Sequence, residues 1–166
     1  SLHFVALAEP SIDGLESGQF YLAANPGEEA QPLAKIASGG ELSRIMLALK
    51  RSVPDGDGVR TLIFDEVDAG IGGEAATAVG EKISRLGKDL QVLCVTHLPQ
   101  VAAFADQHYQ VVKQEKNGRT TTKLNLLDTN ARIAEMARML GGSQIGEQTL
   151  VHARELIESS RALVAL

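Results

Sequence analysis

Several features are scarce or missing in this chain, and each absence narrows what it can be. Cysteine occurs once, at Cys94, so no intrachain disulfide can form, which fits a reducing compartment. That cysteine sits in the apolar run Val92-Leu93-Cys94-Val95, where it reads as a small buried hydrophobe rather than a reactive thiol. No apolar run reaches the roughly 18 residues that a membrane span needs. Ser1-Leu2-His3-Phe4 shows no positive segment leading into a long apolar one, so no signal peptide is expected, and the missing initiator Met suggests an excised piece. Basic residues are not in excess: 16 Lys and Arg stand against 21 Asp and Glu, for a formal net charge of -5. A duplex-binding surface is expected to be basic, so composition lends no support to DNA binding by this stretch alone. There is no internal repeat, low-complexity tract or heptad array. Nor is there a G-x-x-x-x-G-K-[ST] loop: in the single Gly-Lys pair, Gly87-Lys88, the position five before the lysine is Ile83 and Asp89 follows it.

What is present suits one α/β domain over residues 1–166, with 44% apolar residues. Phe4 to Ala8 and Gln19 to Ala24 are expected as strands. A polar loop over Pro10 to Gly18 separates them, and Asn25-Pro26-Gly27 breaks the second. Leu42, Ile45, Met46 and Leu49 recur at helical spacing, predicting a helix from Gly40 to Ser52 that Pro54-Asp55-Gly56-Asp57-Gly58 ends. Thr61 to Phe64 and Gln91 to Thr96 are continuous apolar runs, with a helix marked by Ala76, Val79, Ile83 and Leu86 between them. That is the pattern of buried parallel strands. Gln107 to Lys113 and Thr120 to Leu127 flank the hairpin signal Asn117-Gly118. Ile133, Met136, Ala137 and Leu140 predict a helix closed by Gly141-Gly142, and Leu150, Ala153 and Ile157 a last one.

Three constellations carry chemistry. The strand Thr61–Phe64 delivers Asp65 and Glu66 at its C-terminal end, where open α/β sheets bind ligands. One acid there can hold Mg²⁺ and the next can act as general base on water; taken alone, the pair reads equally as a solvated strand end. Ser38-Gly39-Gly40-Glu41 opens a helix with N–H groups that attract anions, and by itself is more simply an N-cap with a glycine lead-in. His97 follows the second buried strand at the same sheet edge as Asp65 and Glu66, where it could donate to a γ-phosphate; a lone histidine there is more often structural. His3, His108 and His152 have no such setting. Gly70-Ile71-Gly72-Gly73 with Asp89 imitates a dinucleotide fingerprint. Asp65, Glu66 and Asp68 would repel a pyrophosphate there, and Asp89 precedes the next strand rather than following it.

In order and spacing, these segments resemble the signature motif, Walker B strand, D-loop and switch histidine of ABC ATPases. Pro32 to Lys50, Phe64 to Gly73 and Thr96 to Ala102 are similar to the SMC-like branch that serves bacterial DNA repair, and the similarity runs from about Asn25 to the end. The resemblance implies an α/β fold: the C-terminal lobe of an ABC-type P-loop NTPase head, mainly parallel sheet with flanking helices and a C-terminal hairpin plus helices. By the same resemblance Asp65 binds Mg²⁺ through water, Glu66 is the catalytic base, and His97 is the switch histidine. Asp68 is the D-loop acid that contacts the opposite head. Ser38, Gly39 and Gly40 touch the γ-phosphate of ATP held by a second head. The implied cofactors are ATP and Mg²⁺. The implied partners are the N-terminal Walker A half of the same protein, reached through a coiled coil, a second head (a homodimer on ATP), and DNA for the full-length protein, with no membrane. The setting would be the bacterial cytoplasm and nucleoid, and the task double-strand break repair by recombination. The fragment alone is expected to be inactive. Ala37 and Glu41 stand where transport ATPases usually carry Leu and Gln; Glu41 points to the SMC-like branch, and Ala37 leaves the packing under the motif open. The rival readings are the head of another SMC-like or transport ATPase, and a non-catalytic assembly module.

Overall fold

The computed structural model describes residues 1–23, 27–35, 38–52, 58, 60–116, 118–142 and 144–165. The breaks expected at Asn25-Pro26 and Pro54 to Asp57, the turn residue Asn117, and Ala37 lie outside those residues.

The chain opens with β1 (Leu2–Ser11) and β2 (Gly14–Leu22), paired antiparallel, and β3 (Gln31–Pro32) adds to β2. The loop expected over Pro10 to Gly18 is therefore mostly strand, with a turn at Ile12-Asp13. Its cause is local. Gly14 takes φ 132°, a value that favours glycine, and the Ser11 Oγ accepts from the Asp13 N–H and donates to the Gly14 carbonyl. Phe4, Ile12, Leu15 and Phe20 of this hairpin remain exposed.

After a 3₁₀ turn (Leu33–Lys35) come α1 (Gly39–Ser52), β4 (Thr61–Phe64), α2 (Gly73–Leu86) and β5 (Gln91–Cys94). Here the apolar spacing and the continuous runs produced the predicted elements. β4 and β5 pair in parallel, Thr61 opposite Gln91 and Phe64 opposite Cys94, with α2 as the crossover. Leu62, Phe64 and Val67 pack with Ala76, Val79, Ile83 and Leu86 of α2 and with Leu47 of α1. Phe64 is 3% exposed, and burying such a side chain contributes about 1.5–3 kcal/mol. The opposite face of the same pair is open: Ile63 is 69% exposed, Leu93 49% and Val95 60%.

A four-residue helix α3 (Pro99–Ala102), the hairpin β6 (Tyr109–Lys116) and β7 (Arg119–Leu126), then α4 (Thr129–Gly141) and α5 (Glu147–Ala165) complete the fold. Asp128 caps α4 by accepting from the Ala131 N–H at 2.8 Å, and Gly142 ends it. Ala102, Ala103, Met136, Ala137, Ala153 and Ile157 form a second core joining α3, α4 and α5. The α/β class stands, but the sheet is not mainly parallel. Among the described residues, parallel pairing is confined to β4 and β5. Strands joined by tight turns can pair only antiparallel, and both hairpins are of that kind. No helix among the described residues is long and apolar enough to cross a membrane.

Candidate functional site

Because β4 and β5 run parallel and in register, their C-terminal ends coincide, and the Val95 N–H still reaches the Phe64 carbonyl at 2.9 Å. Asp65 and Glu66 leave β4 at the end where Thr96 and His97 leave β5. Asp65 and Glu66 are exposed. Glu66 takes φ 55°, and it is the one non-glycine residue with positive φ among the described residues. Such backbone costs about 1–2 kcal/mol.

The N-terminus of α1 is seated directly on this turn. A Cβ at Gly39 would stand 2.9 Å from Glu66 Oε2. One at Gly40 would stand 2.8 Å from both Ala69 Cβ and the Glu66 carbonyl. Close packing against backbone thus requires glycine at Gly40, whereas at Gly39 the end of the Glu66 side chain can move aside. Ser43 Oγ donates to the Asp65 carbonyl at 2.8 Å, and Arg44 Nη1 donates to the carbonyls of Val67 and Ala69 at 3.2 and 2.8 Å. Ser43 and Arg44 escaped the sequence reading. The available signal was position: Arg44 lies four residues after Gly40, on the same helix face. Ser38 Oγ accepts from the Glu41 N–H at 3.2 Å, so in the free chain Ser38 caps α1.

Asp68 turns the other way. It is 2% exposed. Its Oδ2 accepts from Thr96 Oγ1 at 2.5 Å and from the His97 N–H at 3.1 Å, and His97 Nδ1 lies 3.3 Å from the same oxygen. Burial raises the Asp68 carboxyl, but these hydrogen bonds and the His97 charge outweigh it and hold it below its ordinary value. The expectation that Asp68 meets a second head finds no exposed side chain in this chain, because the carboxylate is committed to Thr96 and His97. The His97 ring itself is 75% exposed. Beneath, burial pushes the Cys94 thiol up to about 12, and the charges of Asp68 and Asp65 add to the shift. A half-buried thiol with little thiolate at neutral pH follows.

The structure therefore brings together Asp68 with His97, and Gly39 and Gly40 with Glu66. No cluster of three His, Cys, Asp or Glu able to hold a metal occurs among the described residues. Mg²⁺, however, usually keeps several waters and binds through one or two carboxylates plus substrate phosphates, and the exposed Asp65 at a strand end fits that demand. Gly70-Ile71-Gly72-Gly73 forms the turn into α2, with Gly72 as its N-cap.

No family model matches the chain. It is 48% identical over 151 residues to the DNA repair protein RecN of Halalkalibacterium halodurans, an alignment that covers 91% of the chain and 27% of the relative. It is 53% identical to RecN of Deinococcus radiodurans (92% and 26% covered) and 45% identical to RecN of Bacillus subtilis (94% and 27%). A solved SMC ATPase structure, from work on ATP-driven dimerisation and DNA-stimulated activation, superposes with a TM-score of 0.52 at 19% identity, covering 87% of this chain and 83% of its own. That likeness shows the fold alone. The chain spans about 27% of the length of curated relatives it matches, and its sequence makes it a segment of the RecN family.

Proposed function

We propose that the chain is the signature and Walker B lobe, residues 1–166, of an ATPase head that hydrolyses ATP to ADP and phosphate in bacterial DNA repair. One observation carries the reading: Asp65, Glu66 and His97 leave the C-terminal end of one parallel strand pair, where the glycine-opened N-terminus of α1 packs on Glu66. Ligands bind at that end in open α/β sheets. The relatives' role in DNA repair supports the cellular setting, and the SMC ATPase likeness supports a head that closes on ATP against a second copy.

In this reading Asp65 would hold Mg²⁺, which would supply positive charge to offset that of the nucleotide's phosphates. Glu66 takes a proton from the attacking water as it forms a bond to the γ-phosphorus and the bond to the bridging oxygen breaks. His97 contacts the γ-phosphate. Ser38, Gly39 and Gly40 approach the nucleotide of the opposite head, Ser38 exchanging its capping role for a phosphate contact. The lysine-bearing phosphate loop belongs to the N-terminal half. The open face at Ile63, Leu93 and Val95 is where a further part of the parent protein would pack. Repair of double-strand breaks by recombination, DNA as partner and a place in the bacterial cytoplasm and nucleoid belong to the same reading.

The test is Glu66→Gln in the full-length parent. Loss of a general base lowers turnover by about 10² to 10⁴, with nucleotide affinity retained. The 166-residue chain alone should show no micromolar binding of Mg-ATP by calorimetry. Turnover of Glu66→Gln within about threefold of the parent would remove Glu66 from the role of base.

A further inference from the structure

We infer that Asp68 is a positioning residue for His97 within its own head, fixing where the imidazole sits at the nucleotide edge. This rests on the reading of His97 as the residue that meets the γ-phosphate. Three contacts converge on one buried oxygen. Asp68 Oδ2 accepts from Thr96 Oγ1 and from the His97 backbone N–H, and it lies 3.3 Å from His97 Nδ1. The first two hold the chain leaving β5 against the turn that follows β4. The third sets a carboxylate beside Nδ1, which orients the ring with Nε2 on its exposed side. Thr96 Oγ1 also accepts from the Leu98 N–H at 3.0 Å, so the same knot fixes the residues on both sides of His97.

The turn is held from its other side as well. Arg44 clamps the carbonyls on either side of Asp68, those of Val67 and Ala69. Asp68 is thus pinned in backbone and side chain alike. An exposed histidine ring gains a defined place only from a rigid support of this kind. An acid that merely filled space would need no donor from the residue it supports.

A double-mutant cycle in the full-length parent protein decides the matter, with DNA-free ATP turnover and nucleotide affinity both measured. Asp68→Asn should lower kcat about tenfold to a hundredfold while ATP affinity stays within about twofold. Added to His97→Ala, it should cost less than about twofold more, because a residue acting through His97 has nothing left to position. Thr96→Val, which removes one donor and leaves the carboxylate, should show the same dependence on His97 with a smaller loss; it carries the cycle should Asp68→Asn fail to fold, as read by thermal melting. Losses that multiply would overturn the inference and leave the role of His97 intact. Wild-type turnover in His97→Ala would overturn the role of His97 and the inference together.

Discussion

The two faces of the β4–β5 pair have almost the same chemistry and opposite fates. Leu62 and Phe64 point beneath α2 and are 8% and 3% exposed, whereas Ile63, one residue from each, is 69% exposed. Strand side chains alternate between faces, so helices packed on one side seal one set and leave the other to water. Half of this sheet is a finished core; the other half is a surface that the described residues leave open.

The largest effect should separate the two faces. Phe64→Ala should destabilise the chain by about 3–5 kcal/mol, the usual cost of a large cavity in a core. Ile63→Ala in the same 166-residue chain should change stability by less than about 0.5 kcal/mol. Urea denaturation of both variants checks this. In the full-length parent, Ile63→Ala should cost about 2–5 kcal/mol if its face is covered there, and equal small effects in both contexts would break the comparison.

A smaller effect sharpens the sealed side at the seat of α1. Gly40→Ala sets a methyl 2.8 Å from Ala69 Cβ and from the Glu66 carbonyl, whereas at Gly39 the one close neighbour is the end of the Glu66 side chain. Overpacking against backbone costs about 1–3 kcal/mol. Gly40→Ala should therefore lower the melting temperature clearly more than Gly39→Ala. Equal shifts would mean that the seat is looser than described.

The smallest effect belongs to the second sealed region. His108 Nδ1 is buried with no hydrogen-bond partner among the described residues. Burial lowers its pKa below the ordinary 6.5, helped by the Arg132 charge and opposed by Glu135. With the folded pKa depressed, the unfolded chain binds more protons below pH 6.5. This contribution to stability is therefore present above that pH and is lost as pH falls toward the folded value. Melting temperature should decline modestly from pH 7 to pH 5.5, and His108→Gln should flatten the decline. An unchanged slope in the variant would assign it to other groups.

Legibility in the sequence followed the physics of each element. α1, α2, β4 and β5 were readable because period and continuous apolar runs are properties of neighbouring residues. β3 and α3, at two and four residues, are too short to show a period. The strands Phe4 to Ala8 and Gln19 onward were readable, but the inner part of the β1–β2 hairpin was read as a loop because Pro10, Gly14 and Gly18 look like loop residues; an exposed hairpin tolerates them where a central strand would not. Asp65, Glu66 and His97 were visible as carboxylates and a histidine ending apolar runs. The ties from Arg44 to Val67 and from Asp68 to Thr96 were not, because they join residues 23 and 28 positions apart and depend on how two strands and a helix are set side by side.

The open sheet face has one more consequence, for how such a lobe persists in a cell. Two short strands with a bare apolar side are the kind of surface on which other chains associate. A cover supplied as a separate protein would have to find that side at cellular concentration, in competition with every other sticky surface. A cover encoded in the same polypeptide meets it at an effective concentration of order millimolar for a short flexible tether. Tethering would thus protect the lobe from aggregation before any nucleotide is bound.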